Sequence, residues 1–213
     1  MKLTKELENY LLDHTSEEDE LLKKLERDTF LNVLRPRMLS GHLQGKMLEM
    51  FSRMINPKFI LEIGTYTGYS AICLAKGLQK EGQLHTIEIN DELESFASNY
   101  FEKSGFRKQI IQHIGDGREI IPQLDFAFDL IFIDADKREY CDYFDLVIDK
   151  LKPGGFIIAD NVLWSGKVVE KTDPADEQTT GILQFNKKIK EDSRVSQVIL
   201  PVRDGLMIIR KTG

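Results

Sequence analysis

The sequence predicts an α/β fold in which a seven-stranded, mostly parallel sheet carries helices on both faces and ends in an antiparallel hairpin. From Phe59 onward, short apolar runs alternate with helix-length amphipathic segments, which is typical of a doubly wound sheet. Runs such as LIFI in DLIFID are apolar on both faces, as strands covered by helices on both sides must be. Near the C-terminus, two further apolar runs are separated by a connection too short for a parallel crossover.

The first 34 residues are predicted to form a helical extension in front of the sheet. Thr15 and Glu18 have the spacing of a helix capping box, and an apolar stripe of leucines follows them. A third helix is predicted from about Leu43 to Met54, with apolar residues that share one face. Methionine-rich stripes of this kind are usually buried, so we expect this face to lie in the core.

Five parallel strands and their connecting helices are predicted between Phe59 and Asp160. The helix at 91–104 shows the pattern most clearly, because its apolar residues share a face, acidic residues begin it and Gly105 suits its C-terminal cap. The predicted strands are FILEIG, LHTIEI, IIQHIG, DLIFID and GFIIAD.

Two more strands are predicted at the end of the chain. VSQVILPV and LMIIRK are joined by Arg203, Asp204 and Gly205, which is a hairpin-type connection. One of the two strands must therefore run antiparallel to the others. Dinucleotide-binding dehydrogenases usually continue with further βα units instead, so the hairpin argues against that class.

Composition restricts the classes of function. The 213 residues are 41% hydrophobic, which is enough for one domain with a substantial core over residues 1–213. A net charge of −6 argues against a nucleic-acid partner, which requires a basic face. The sequence contains neither a membrane-spanning run nor a signal-peptide segment. Cys73 and Cys141 are expected to be inert core residues, and we expect a cytoplasmic protein.

The first predicted strand leads into the loop GTYTGYS, which begins at Gly64 and opens the next helix at Gly68. This G-x-x-x-G spacing differs from the G-x-G-x-x-G of dinucleotide-binding proteins, in which a tight glycine turn holds a pyrophosphate. A methionyl group needs more room and polar partners for its ammonium and carboxylate, which Glu62 and Ser70 could supply. The alternative is a tight strand–helix turn without a ligand.

Two further strand ends carry candidate nucleotide contacts. Glu88 ends the second strand, where a carboxylate can accept hydrogen bonds from both ribose hydroxyls. The alternative for Glu88 is a solvated acid at a strand end. After the third strand, small residues around Gly117 could accommodate an adenine, or Asp116 could form an ordinary helix cap.

Carboxylates follow the fourth and fifth predicted strands. Asp134 ends the fourth, and Asp160 and Asn161 end the fifth. Because parallel strands bring their carboxyl ends to one edge of a sheet, these side chains should converge, and clustered carboxylates need a compensating cation. Ligands that are all oxygen favour Mg²⁺, Mn²⁺ or Ca²⁺ and leave coordination positions for water and substrate. The alternative is that these acids cap helices.

These motifs resemble the cation-dependent O-methyltransferases of the caffeoyl-coenzyme A and catechol type, over roughly residues 36 to 211. The most specific segments are LEIGTYTGYSA, FIDADKREY, KPGGFIIADNVLWSGKVV and LPVRDGLMIIRK. The resemblance implies a class I methyltransferase fold, S-adenosylmethionine as cofactor and a divalent cation. It also implies methyl transfer to one hydroxyl of a small phenolic substrate with two adjacent oxygens, and a homodimer.

The resemblance assigns roles to individual positions. It implies that Asp134, Asp160 and Asn161 hold the cation and that Lys137 takes the proton from the substrate hydroxyl. The alternative for Lys137 is an exposed lysine at a helix start. The positions implied in cofactor binding are Ser40, Glu62, Gly64, Thr65, Ser70, Glu88, Gly117 and, as a second role, Asp134.

The substrate is less well defined by the resemblance. Plant caffeoyl-coenzyme A enzymes have an asparagine at the position of Ser165, and their lid is basic where residues 173–180 here read DPADEQTT. A coenzyme A tail would find little positive charge there apart from Lys167 and Lys171. The chain is more similar to bacterial, broad-specificity members. Trp164 is expected to form a wall of the aromatic pocket, although a lone tryptophan is more often a core residue.

Three other functions stay open on the sequence alone. One is a nucleotide-dependent oxidoreductase that binds NAD, and another is a non-catalytic protein that keeps the cofactor pocket. The third is a methyltransferase acting on RNA or protein, which the acidic charge balance disfavours.

Overall fold

A computed structural model describes residues 4–173 and 175–213. Residues 1–3 and Pro174, which belong to the predicted helical extension and lid, lie outside the described residues. The helices are α1 (Lys5–Asp13), α2 (Glu20–Asn32), α3 (Gly41–Ile55), α4 (Tyr69–Ala75), α5 (Glu94–Ser104), α6 (Gly117–Ile120), α7 (Tyr140–Ile148) and α8 (Glu177–Glu191). The strands are β1 (Phe59–Ile63), β2 (Gln83–Glu88), β3 (Ile110–Ile114), β4 (Phe128–Ile133), β5 (Leu151–Ala159), β6 (Val195–Leu200) and β7 (Leu206–Lys211). Short 3₁₀ helices lie at Pro36–Met38, Asp91–Leu93, Ile121–Gln123, Lys137–Glu139 and Trp164–Val169.

The strands form one seven-stranded sheet in the order β3-β2-β1-β4-β5-β7-β6. Neighbours among β1 to β5 pair in parallel, whereas β7 runs antiparallel to both β5 and β6. This arrangement confirms the predicted parallel sheet and its C-terminal hairpin. Because the chain moves outward from β1 to β3 and then returns to β4, a crevice forms at the carboxyl ends of β1 and β4, where ligands bind in such sheets.

The hydrophobic core occupies both faces of the sheet. One cluster joins the sheet to α2, α3, α4 and α5, with Leu25, Leu48 and Phe101 among its fully buried members. The other joins the sheet to α7 and α8 and includes Phe144 and Phe185. Burial on both faces explains why most positions of the central strands are apolar. None of the helices in the described part of the chain has the length and apolar character needed to cross a membrane.

The predicted N-terminal helices are confirmed from residue 4 onward, but the predicted capping box is wrong. The α2 helix begins later, at Glu20, because the side chain of Asp19 caps it by accepting a hydrogen bond from Leu22 N at 2.9 Å. The hydroxyl of Thr15 instead donates to Leu11 O at 2.6 Å, and Glu18 pairs with the hydroxyl of Tyr69.

The third predicted helix exists as α3, and Met47 and Phe51 of its predicted core face pack against the core, but the rest of that prediction is wrong. Met50 and Met54 are 47% and 72% exposed, whereas the polar residues Gln44 and Ser52 are buried on the opposite side. The buried polar groups are satisfied: Ser52 Oγ, for instance, donates to Leu74 O at 2.6 Å. Partners elsewhere in the chain therefore add polar residues to the buried face of α3, which its hydrophobic pattern does not indicate.

The cysteines differ from each other. Cys73 is buried in α4, as predicted, while Cys141 in α7 is half-buried at the edge of the core. Neither is disulfide-bonded, and burial raises the pKa of both thiols, which makes the reactive thiolate scarce.

Candidate active site

The crevice is formed by the carboxyl ends of β1, β2, β4 and β5, and backbone hydrogen bonds fix the residues that follow these strands. Asp134 N donates to Ile63 O, and Asp160 N donates to Ile133 O, both at 2.9 Å. These bonds extend the sheet by one residue on β4 and on β5. The two aspartates therefore start from a rigid backbone on adjacent strands.

Gly64 lies where the loop after β1 passes closest to β4. Its φ is +104°, and a Cβ atom at this position would lie 2.0 Å from the carbonyl oxygen of Asp134. Only glycine fits both the backbone conformation and this contact. The close contact with β4 is therefore enough to explain the glycine, in agreement with the alternative of a tight strand–helix turn without a ligand. A cofactor role for Gly64 stays a proposal.

Glu62 is a fully buried carboxyl group in β1. Its Oε2 accepts a hydrogen bond from the hydroxyl of Thr86, which also pairs with the hydroxyl of Thr65. Burial raises the pKa of Glu62 to about 8, although the hydroxyls of Ser70 and Thr86 favour its charged form. Among the described residues, Oε1 of Glu62 has no hydrogen-bond partner. A buried acceptor without a donor fits a ligand that carries an ammonium group.

Glu88 ends β2 and is buried, so the alternative of a solvated acid is wrong. Its Oε2 accepts a hydrogen bond from Tyr66 N at 2.7 Å, and its Oε1 accepts one from Asn90 N at 2.9 Å. Each oxygen keeps further acceptor capacity, which is what a pair of ribose hydroxyls needs. Glu88 also holds the loop after β1 in place.

The other predicted cofactor positions lie at helix starts. Ser40 is a buried residue at the N-terminus of α3, where its side chain makes no capping hydrogen bond. Gly117 opens α6 and packs near the ring of Tyr143. Asp116 caps α6 by accepting a hydrogen bond from Arg118 N at 2.8 Å, so the helix-cap alternative holds for Asp116.

Asp160 and Asn161 follow β5 at the bottom of the crevice. Asp160 is 3% exposed; its Oδ1 accepts from Asn161 N at 2.7 Å and its Oδ2 from Gln44 Nε2 at 2.6 Å. Burial, followed by the nearby negative charge of Asp134, raises the pKa of Asp160. Asn161 adopts a left-handed backbone with φ +59°, which asparagine tolerates better than most residues.

A divalent cation fits this set of groups. Asp134, Asp160 and Asn161 offer only oxygen ligands, and Asp160 is buried close to the negative charge of Asp134. Over residues 4–173 and 175–213, no three histidine, cysteine or acidic side chains converge on a metal position. The candidate site consists of two carboxylates and an amide, and it stays a proposal.

Lys137 lies at the same edge and is buried, at 6% exposed, so the alternative of an exposed lysine is wrong. Its Nζ donates to Asp134 Oδ1 at 2.9 Å and to the hydroxyl of Tyr140 at 2.7 Å. The Tyr140 hydroxyl in turn donates to Asp160 O at 3.0 Å. Lys137 therefore connects the carboxylate of Asp134, through Tyr140, to the backbone carbonyl of Asp160.

The mouth of the crevice is formed by segments that carry paired charges. Lys167 Nζ lies 2.7 Å from Asp176 Oδ2 within the predicted lid, and Arg138 pairs with Asp136 and Glu177. Trp164 is half-buried and packs against the core. The cations near the entrance are thus largely neutralised by acidic neighbours.

Three residues around Asp160 and Lys137 have no predicted role in the site. Gln44 donates to Asp160, Tyr140 accepts from Lys137, and Arg203 donates to Gln44. Tyr140 lies within the segment FIDADKREY, one helical turn after Lys137, which is the only local signal for it. Gln44 and Arg203 contact residues that are far away in the chain, so no spacing rule could have found them.

Comparison with known proteins decides the family. Residues 12–212 match the O-methyltransferase family. The chain belongs to this family. It is 33% identical over 200 residues to a catechol O-methyltransferase of Niastella koreensis, covering 91% of this chain and 89% of that protein. It is 34% identical over 179 residues to caffeoyl-CoA O-methyltransferase 5 of Nicotiana tabacum, covering 79% and 75%.

A solved structure agrees with this family membership. The O-methyltransferase TomG from Streptomyces achromogenes, in complex with S-adenosylmethionine, superposes with a TM-score of 0.90 at 29% identity, covering 98% of this chain and 96% of TomG. The fold is therefore that of a class I methyltransferase, and the activity class is O-methyl transfer dependent on S-adenosylmethionine. Both predictions are confirmed, and the oxidoreductase alternative is wrong.

Proposed function

We propose that this O-methyltransferase transfers a methyl group to one hydroxyl of a small catechol-type substrate with the assistance of a divalent cation. The observation that carries the proposal is the network in which Lys137, Asp134 and Asp160 meet at the carboxyl ends of β4 and β5. In this proposal, Asp134, Asp160 and Asn161 hold Mg²⁺, Mn²⁺ or Ca²⁺. Tyr140 supports Lys137 by accepting a hydrogen bond from its Nζ.

The cofactor and cation supply the chemistry that side chains lack. S-adenosylmethionine brings an electrophilic methyl group and leaves as a neutral thioether, while a chelating cation lowers the pKa of a phenolic hydroxyl from about 10. Glu62 accepts a hydrogen bond from the cofactor ammonium, and Glu88 accepts from its ribose hydroxyls. Ser40, Thr65, Ser70 and Gly117 line the remainder of this proposed pocket.

Lys137 is proposed as the group that takes the substrate proton. Asp134 and Tyr140 each accept one hydrogen bond from Nζ. Lys137 can act as a base only once it is deprotonated; the amine then has two N–H bonds, and with Asp134 and Tyr140 accepting both, its lone pair is left for the hydroxyl proton. The side chain is held from two sides, which fixes the direction of that lone pair.

The charges at the crevice mouth favour a simple catechol over a coenzyme A thioester. Lys167 is paired with Asp176, and Arg138 is paired with Asp136 and Glu177. A coenzyme A tail carries phosphates, which the acidic partners of these cations would repel. The natural substrate is therefore proposed to be a small, uncharged vicinal diphenol.

The test compares catechol with caffeoyl-coenzyme A at equal concentrations, with products identified by mass spectrometry. We expect one added methyl group on catechol and a kcat/KM for catechol at least about tenfold above that for the thioester. A higher kcat/KM for caffeoyl-coenzyme A would overturn the substrate proposal. Absence of methyl transfer to any vicinal diphenol would overturn the proposed function itself.

We also propose a cytoplasmic homodimer. The support for the dimer is the family resemblance together with large apolar side chains that are exposed on α2, just after α2 and on α3, among them Leu31, Leu34 and Met54. The support for the location is that both cysteines are free. Light scattering coupled to size exclusion tests the dimer, and a mass equal to one chain would contradict it.

A further inference from the structure

Gln44 is a buried polar residue on the inner face of α3. It is 1% exposed, and both ends of its amide group are engaged. Nε2 donates to Asp160 Oδ2 at 2.6 Å, and Oε1 accepts from Arg203 Nη1 at 3.0 Å. Gln44 thus connects a proposed cation ligand in the crevice to the loop between β6 and β7.

Arg203 determines which way this amide points. A guanidinium group only donates hydrogen bonds, so the amide oxygen must face Arg203 and the amide nitrogen must face Asp160. Arg203 is itself held by a second hydrogen bond, from Nη1 to Leu39 O at 3.1 Å. The Arg203 backbone is left-handed, with φ +49°, and this conformation is stabilised by its place in the tight hairpin loop.

The hairpin loop and the segment after β5 form one unit. Val162 N donates to Gly205 O at 3.2 Å, and Leu163 N donates to Asp204 O at 2.9 Å. Asp204 also accepts a hydrogen bond from Ser165 N. The loop that carries Arg203 is therefore anchored to the segment that follows Asp160 and Asn161, and the distance between Arg203 and Asp160 is fixed.

These contacts leave Asp160 with little freedom to rotate. Each of its carboxylate oxygens accepts one hydrogen bond from the protein, Oδ1 from Asn161 N and Oδ2 from Gln44 Nε2. Each oxygen keeps a lone pair that is not engaged by these bonds. Without Gln44, Oδ2 would be a buried acceptor lacking its donor, and the carboxylate could turn about its side-chain bonds.

We propose that Gln44 and Arg203 are positioning residues that orient the Asp160 carboxylate for divalent-cation binding. The inference rests on the proposed function, because it takes Asp160 as a cation ligand. Hydrogen-bond partners of metal ligands typically contribute about 10- to 100-fold in metal affinity. Gln44 supplies the contact to Asp160, and Arg203 sets the orientation of Gln44.

The experiment measures Mn²⁺ binding directly, by calorimetry and by electron paramagnetic resonance, on metal-free full-length protein without substrate. The variants are Gln44→Met, Arg203→Met and the double variant, with Asp160→Ala as the reference for loss of a ligand. Gln184→Met, on the exposed side of α8, is the matched control. We expect Gln44→Met to bind Mn²⁺ about 10- to 100-fold more weakly, and Gln184→Met to bind it as the wild type does.

The Arg203→Met variant is a second, independent test of whether Gln44 orients Asp160 for cation binding. Arg203 lies on an exposed loop, so Arg203→Met tests the inference even if Gln44→Met does not fold. We expect a smaller loss of Mn²⁺ affinity for Arg203→Met, and a double variant no weaker than Gln44→Met, because both residues act through the same hydrogen bond. Mn²⁺ affinities within twofold of wild type in the folded variants, with Asp160→Ala strongly weakened, would overturn this inference alone. Unchanged Mn²⁺ binding in Asp160→Ala would instead overturn the proposed cation site.

Discussion

At the residue scale, the active site depends on buried polar groups whose partners are fixed by the fold. Lys137 and Tyr140 are held by hydrogen bonds to each other and to the backbone carbonyl of Asp160, while the Asp160 carboxylate is held by Gln44 and Asn161 N. Glu62 differs from Lys137, Tyr140 and Asp160, since one of its oxygens lacks a donor among the described residues. A group left unsatisfied in a site that is otherwise satisfied is expected where a ligand completes it.

Replacing Lys137 with methionine tests its proposed role as the base. Methionine keeps an unbranched apolar chain over the ring of Tyr140 but cannot accept a proton. We expect kcat to fall by about 10²- to 10⁴-fold, with the dissociation constant of S-adenosylmethionine within about twofold of wild type. Single-turnover kinetics and calorimetry measure the two quantities. Equal losses in kcat and cofactor affinity would mean that Lys137 supports the pocket and does not act as the base.

The raised pKa of Glu62 predicts a dependence of stability on pH. Its pKa of about 8 in the folded protein lies above the ordinary value of 4.5, so between these values the folded state binds more protons than the unfolded state. The contribution of Glu62 to the free energy of unfolding is therefore present at low pH and is lost as pH rises toward 8. Thermal melts of ligand-free protein should show Tm falling more steeply from about pH 5 to pH 8 in wild type than in Glu62→Gln.

Cofactor binding provides the complementary readout for Glu62. An ammonium group next to the carboxylate favours its charged form, and glutamine cannot supply that charge. We expect Glu62→Gln to weaken S-adenosylmethionine binding by about tenfold or more. If wild type and Glu62→Gln show the same pH profile of Tm, Glu62 does not titrate as described.

At the element scale, the strands were predictable and the helical packing was less so. The positions of the strands followed from apolar runs, but β5 begins at Leu151, before the predicted run GFIIAD, because Lys152, Pro153 and Gly154 give no apolar signal. The helix α3 was predicted to bury its methionines, yet it buries Gln44, whose partner Asp160 lies 116 positions away. Gly45 allows the approach, since a Cβ atom there would lie 2.5 Å from the ring of Tyr69. Contacts at such separation leave no periodic pattern in the sequence.

The packing of α8 on the segment after β4 leads to a prediction at the same scale. A Cβ atom at Gly181 would lie 2.4 Å from Lys137 O and 2.9 Å from Arg138 Cα. Gly181→Ala must therefore displace the backbone that carries Lys137. We expect a stability loss of about 1–3 kcal/mol together with a lower kcat.

The exposed position Gln184 on α8 is the control for Gly181. Gln184→Ala should change the free energy of unfolding by less than about 0.5 kcal/mol and leave kcat unchanged. Chemical denaturation and steady-state kinetics measure both effects. Wild-type stability and turnover in Gly181→Ala would contradict the close packing of α8 against this segment.

At the scale of the whole molecule, the strand order brings the residues of the candidate active site to one edge of the sheet. The carboxyl ends of β1, β2, β4 and β5 bring together residues from 62 to 161, which is why strand ends alone predicted Glu88, Asp134 and Asp160 as neighbours. For β6 and β7, the sequence predicted only that the two strands form an antiparallel hairpin. In the fold its loop reaches back to the crevice through Arg203, and that second role depends on tertiary contacts.

The central claim is that methyl transfer depends on a divalent cation held at this edge of the sheet. The most direct measurement is the initial rate of catechol methylation after exhaustive chelation, followed by titration with Mg²⁺, in wild type and in Asp160→Ala. We predict that chelation abolishes the wild-type rate, that Mg²⁺ restores it with saturation, and that Asp160→Ala is not restored over the same range. A wild-type rate that persists unchanged after chelation would contradict the account.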